Sequence, residues 1–235
     1  TALLPLLSRQ IEADDQAGAN DSQSRAVELV MIFCLPAAVA LTIIAEPIIA
    51  VLFERGAFDA ADTAASAAAL VAFAVGLPAY VLIKVFAPGF FARKDTKTPV
   101  KVAVVGLLSN LAIMLTLIWS LGHVGIALAT AGAAWINGGI LCFILIRRGH
   151  FAPDDRLKHR LPRILFASAA MAAVLWLGVW AREQWLPEGF VADALGLAAL
   201  VALGLAIYAL AGQVLGAFRL GDIRTMMRRQ PAASG

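Results

Sequence analysis

The sequence predicts an all-α integral membrane protein with six transmembrane helices, preceded by the tail of another, and three observations support this. Hydrophobic residues make up 61% of the 235 and charged residues 15%, against about 45–50% and 25% in soluble domains. Six apolar stretches reach the length of about 20 residues that crosses a bilayer, at 26–53, 63–91, 99–121, 126–146, 161–181 and 191–218. The basic residues concentrate in alternate loops between those stretches. A mean hydropathy of +0.82 leaves the apolar side chains facing lipid or one another.

The chain opens TALLPLLSR without an initiator methionine. This stub is too short to span a bilayer and lacks a signal-peptide pattern, so it reads as the end of a preceding helix. The polar stretch 9–24 reads as an interfacial loop or short helix. In the first span, Glu46-Pro47 should end or kink the helix, because proline removes a backbone donor, and Pro36 adds a second bend. The second span can be capped by Asp59 or Asp62 and carries break points at Gly76-Leu77-Pro78 and at Pro88-Gly89. Two readings of these prolines stand: broken helices that line a cavity, or ordinary kinks inside a bundle. Thr98-Pro99 reads as an N-cap followed by proline at the first helical position. His123 lies in a tight turn between the third and fourth spans.

Orientation follows from the basic residues. Sixteen of the nineteen lysines and arginines fall on one side: Arg9 and Arg25; Arg93, Lys94, Lys97 and Lys101; six between Arg147 and Arg163; and four in the tail from Arg219 to Arg229. Only Arg55 and Arg182 fall on the other, and Lys84 lies within a span. By the positive-inside rule the rich side, with the C-terminus, is cytoplasmic. The pI near 9.1 therefore reflects topology rather than a nucleic-acid surface.

Little in the chain suggests an enzyme. There is no phosphate-binding Walker loop, no H-E-x-x-H, no G-x-S-x-G and no metal-spaced set of Cys and His. The three histidines are scattered in loops, and the pairs Asp14-Asp15 and Asp154-Asp155 sit in polar segments where they solubilise. Cys34 and Cys142 lie inside apolar spans, read as small core hydrophobes, and imply no disulfide framework. No cofactor is implied.

Lys84 is the candidate for chemistry. A charge at mid-membrane costs at least about 2.5–3.5 kcal/mol, so such a residue faces a cavity or a partner. Lys84 lies nine residues before Arg93, roughly 13 Å deep at 1.5 Å per residue, which strains simple snorkelling. A lysine binds phosphate well as a point charge. Asn110, Thr116, Thr130 and Asn137 are weaker signals, suited to hydrogen bonds between helices.

Three motifs carry a resemblance over nearly the whole chain: FERGAF within LFERGAFDAADT, KVFAPGFFARKDTKTPVK after GLPAYVLIK, and the H-x-G-x-A-L-A-T run from His123. These residues resemble the MurJ (MviN) family of lipid II flippases, within the multidrug/oligosaccharidyl-lipid/polysaccharide exporter superfamily. The resemblance implies a MurJ-like, MATE-like C-terminal half: the end of a helix and a loop at 1–25, four helices of the transport lobe at 26–146, a basic linker at 147–163, a helix pair at 164–218 and a cytoplasmic tail at 219–235. It implies flipping of lipid II, an undecaprenyl-diphosphate-linked peptidoglycan precursor, across the bacterial inner membrane by alternating access. The partners it implies are lipid II, membrane lipids and other cell-wall synthesis proteins. Half of the cavity would then be supplied by arginines outside this chain, so the piece alone should not transport. The alternatives are an exporter of another polyprenyl-linked oligosaccharide or a drug, or an assembly module that transports nothing.

By the same resemblance, Asn110 and Thr130 match positions of a sodium site, but Met114 stands where an acidic ligand is expected one turn after the Asn. Losing that hard oxygen weakens the case for sodium and leaves membrane potential, H+ or Na+ open as the coupling. The last two helices, with Gly196, Gly204, Gly212 and Gly216 for close approach and Trp176, Trp180 and Trp185 as an interfacial belt, would form a groove for the polyprenyl tail.

Overall fold

The computed structural model describes residues 3–185 and 189–217; the basic tail with Arg219, Arg224, Arg228 and Arg229 lies outside them, as does the side chain of Trp185. Seven helices make up the described chain: α1 (Leu3–Glu12), α2 (Gln16–Ile43), α3 (Ala45–Phe53), α4 (Ala60–Phe91), α5 (Lys97–Arg147), α6 (Asp155–Trp185) and α7 (Phe190–Val214). Five of them, α2 and α4 to α7, are long and apolar enough to cross a membrane.

At 51 residues α5 would be about 76 Å long if straight, far more than one bilayer. It folds back at Gly122, whose φ of 54° and ψ of −129° lie outside the range of an ordinary side chain. The two arms pack closely: a β-carbon on Gly125 would come within 2.7 Å of the Leu117 carbonyl oxygen, and one on Gly106 within 3.1 Å of Asn137 Nδ2. The stretches 99–121 and 126–146 thus lie on the arms of one hairpin. His123 holds its turn to α4, with Nε2 3.0 Å from the Ala65 carbonyl oxygen.

Packing orders the helices. α4 lies between α5 and α2, α2 lies between α4 and α6, and α7 packs on α6 and α3. Small residues set the α4–α5 contact. Ala127, Ala129, Ala131 and Ala134 are buried along the second arm, and a β-carbon on Gly76 would lie 2.8 Å from that of Ala131. Such seams let backbones approach where lipid offers no hydrophobic drive to associate.

Several local expectations are corrected. The polar stretch 9–24 is largely helical, ending α1 and forming the first turns of α2, with Asp15 capping through Gly18 N–H at 2.8 Å. Near Pro47 the chain does break: α2 stops at Ile43 and α3 starts at Ala45. Pro78, Pro88 and Gly89 do not break their helix, since α4 is continuous from Ala60 to Phe91. Asp59 is the cap of α4, in a reciprocal box with Asp62. Thr98 is not a cap. α5 begins at Lys97, and Asp95 accepts from the Thr98 N–H at 3.0 Å and its hydroxyl at 2.6 Å. Gly216 does not mediate close helix approach. It takes a φ of +65° just past α7, where Ala217 N–H bonds the Gly212 carbonyl oxygen at 2.8 Å and ends the helix.

Candidate functional site

Lys84 stands in α4 between half-buried Ile83 and buried Val85, with its own side chain exposed. Among the described residues its ammonium has no hydrogen-bond or ion-pair partner. Val85, Phe86 and Phe90 fill the core on the other face, so the helix presents one cation on an otherwise apolar surface. Burial of the neighbouring apolar positions fixes its rotation and leaves Lys84 no route into the core.

Asn110 and Thr130 come from opposite arms of the α5 hairpin. Thr130 donates back to the Ile126 carbonyl oxygen at 2.9 Å, and Thr116 likewise to Ile113 at 2.7 Å. Among the described residues Asn110 makes no hydrogen bond, and no group of three His, Cys, Asp or Glu side chains gathers to hold a metal. The structure therefore places the two residues on one hairpin without bonding them together.

An apolar groove of about 630 Å³ lies between α2 and the α6–α7 pair. One wall is α2 with the start of α3, through Ile32, Phe33, Pro36, Ala40, Ile44 and Ile48. The other is the helix pair, through Met171, Leu175, Val201, Gly204, Leu205 and Tyr208. Its shape follows from residue size. Gly204 admits Leu175, whose Cδ2 would lie 2.9 Å from a β-carbon there. At its floor the Tyr208 hydroxyl donates to the Ile32 carbonyl oxygen at 2.6 Å.

Several polar contacts tie the basic ends of the helices together. Arg93 donates to Gln16 Oε1 at 3.0 Å and to the Gly89 carbonyl oxygen at 2.8 Å. Arg148 pairs with Asp95 at 2.6 Å. Hydrogen bonds from Thr98, then from Arg148, hold the Asp95 carboxyl well below the usual carboxylate range. Burial, then the charges of Arg93 and Arg148, push the His150 imidazole down. Glu28 is 4% exposed and pairs with Arg156 at 3.1 Å and with Arg160, fastening α2 to α6.

Glu28 and Tyr208 are what the sequence reading missed. Glu28 lies three residues from Arg25 on α2, but Arg25 pairs instead with Asp21 at 2.9 Å. The signal for Tyr208 was Pro36, because an interior proline leaves a carbonyl that must find a donor.

Spanning helices with interior prolines, a bent-back hairpin and an apolar groove define a multi-pass helical membrane protein. A sequence profile described as "Lipid II flippase MurJ" matches residues 1–199. A "Probable lipid II flippase MurJ" of Rhizobium meliloti (strain 1021) is 40% identical over 240 residues, covering 100% of this chain and 44% of the relative. A protein of the same description from Vibrio cholerae is 33% identical, over 95% of this chain and 42% of its own length. The solved structure "Lipid II flippase MurJ, inward closed conformation" superposes with a TM-score of 0.71 at 24% identity, covering 91% of this chain and 42% of that one. The chain belongs to the MurJ lipid II flippase family, and it is a multi-pass inner-membrane protein. It spans about 44% of the length of relatives such as that of Rhizobium meliloti.

Proposed function

We propose that this chain forms one lobe, with an attached helix pair, of a flippase that carries lipid II across the inner membrane by alternating access. The basic ends of its helices are cytoplasmic. Lys84 faces the cavity between the lobes and meets the diphosphate of the substrate, and the groove between α2 and the α6–α7 pair takes the polyprenyl tail. The observation that carries this reading is the pairing of an unpartnered ammonium within an apolar span with an apolar groove on the same lobe. Lipid II has a matching division between charged head and long hydrocarbon tail. The work is transport rather than catalysis, supporting cell-wall synthesis alongside other proteins of that process. Energy comes from the membrane gradient, as potential, protons or sodium; with Met114 at the acidic position, Asn110 and Thr130 supply a sparse oxygen set for sodium.

Lys84→Met in the full-length protein tests the reading. A lost charge-assisted hydrogen bond is worth about 1.5–3 kcal/mol, so lipid II affinity should fall roughly ten- to a hundred-fold while membrane insertion is unchanged. Lys84→Arg should rescue in part, since the charge remains but the geometry differs. Unchanged affinity with equal or higher thermal stability would sink the cavity role, because removing a charge that merely snorkels relieves its burial cost.

A further inference from the structure

A hydrogen bond joins two residues that line the groove, Tyr208 and Ile32, and its chemistry follows from proline. In α2 the Ile32 carbonyl would accept from the amide of residue 36, but Pro36 has none. Water is absent from the bilayer core, so an orphaned carbonyl there costs several kcal/mol unless protein supplies a donor. Tyr208 supplies it from α7 at 2.6 Å, with its ring 7% exposed. The two helices are otherwise held apart: α2 packs on α4 and α6, and α7 packs on α6 and α3. The bond is therefore a strut across the gap whose walls form the groove.

Bonds from other helices also lie close to the prolines of α4, though not on the carbonyls that those prolines release. Trp135 Nε1 of α5 donates to the Val75 carbonyl oxygen at 3.0 Å, beside the carbonyl that Pro78 releases. Gln23 Nε2 of α2 reaches the Val85 carbonyl oxygen at 3.5 Å, beside the one that Pro88 releases. Each interior proline of α2 and α4 thus marks a loosened turn to which another helix attaches. Of these three contacts, the Tyr208 bond is the one made between residues that line the groove.

We propose that Tyr208 is a positioning residue: its hydroxyl takes up the carbonyl that Pro36 releases and so sets the separation of α7 from α2. Resting on the reading of the groove as the tail site, the strut also fixes the width available to a polyprenyl chain. The test is a cycle in the full-length protein of Tyr208→Phe, Pro36→Ala and both together. Tyr208→Phe keeps the ring and removes the hydroxyl, whereas Pro36→Ala returns an amide to Ile32 and makes its donation there redundant.

Two readouts are taken on each variant: the thermal midpoint in detergent, and cross-linking of a photoactivatable isoprenyl diphosphate to the groove at Leu205. Tyr208→Phe alone should lower the midpoint by several degrees and cross-linking by about tenfold, the ratio that one lost buried hydrogen bond implies. In the Pro36→Ala background the same change should leave both readouts nearly where Pro36→Ala alone puts them. Equal losses in both backgrounds, or no loss in either, would overturn the strut. A non-additive midpoint with no cross-linking in the unsubstituted protein would confirm the strut. It would also overturn the tail reading and, with that, the role of Tyr208 in setting a tail site.

Discussion

Glu28 shows how a residue's meaning depends on partners far away in sequence. Read locally, it lies three residues from Arg25 on one helix and looks like half of a surface pair. In the fold it is buried between Arg156 and Arg160, 128 and 132 positions on, and no local pattern could have identified them. Lys84 is the opposite case, because its anomaly is its own. A charge in an apolar span stands out without any partner, which is why it was legible. For Glu28 the magnitude follows from burial: removing one member of a buried ion cluster leaves the others uncompensated, at a cost of about 3–5 kcal/mol. The arginines are 31% and 20% exposed at their side chains, so the lower end applies. Glu28→Ala should lower the thermal midpoint substantially, and Arg156→Ala, which leaves Arg160 in place, should lower it less. A Glu28→Ala variant as stable as the parent would show that water already screens the cluster.

Helices were legible wherever hydropathy decides them, and least so wherever proline does. The spans, the turn at Gly122 and the capping of α4 all follow from composition and local chemistry. Of the two readings of Pro78 and Pro88, the continuous α4 fits ordinary kinks rather than breaks, because proline removes one donor and crowds one carbonyl, a loss that a long packed helix survives. Trp135 and Gln23, on other helices, bond the carbonyls of Val75 and Val85, one residue past those that the prolines release. The α4–α5 contact also escaped the sequence reading, which singled out the glycines of α7 rather than Gly76. A side chain at Gly76 must displace Ala131, backbone included, and overpacking of this kind costs about 1–3 kcal/mol. Gly76→Leu should therefore destabilise the protein in detergent, whereas Gly139→Leu, with no atom within 4 Å of its β-carbon, should not. Equal stability of the two variants would mean that the seam does not hold α4 to α5.

At the scale of the whole molecule the governing feature is the sorting of charge to one end. Arg93, Arg148, Arg156 and Arg160 converge there on Gln16, Asp95 and Glu28. The opposite end carries the Glu54–Asp62 loop, with Glu54 accepting from Thr63 at 2.9 Å, and the turn at Gly122. Retaining a cluster of cations on the cytoplasmic face is what sets the orientation of membrane helices, so the two ends should differ in access to a membrane-impermeant thiol reagent. Ala57 and Ala152 are both exposed loop residues, one at each end, and the native Cys34 is buried. In intact cells Ala57→Cys should react and Ala152→Cys should not, and both should react once the membrane is opened. Labelling of Ala152→Cys from outside would reverse the orientation, and with it the direction from which Lys84 first meets its substrate. Labelling of both from outside would mean that an even number of crossings separates them, contrary to the three of a path that runs down α4, out and back through the arms of α5, and into the basic loop.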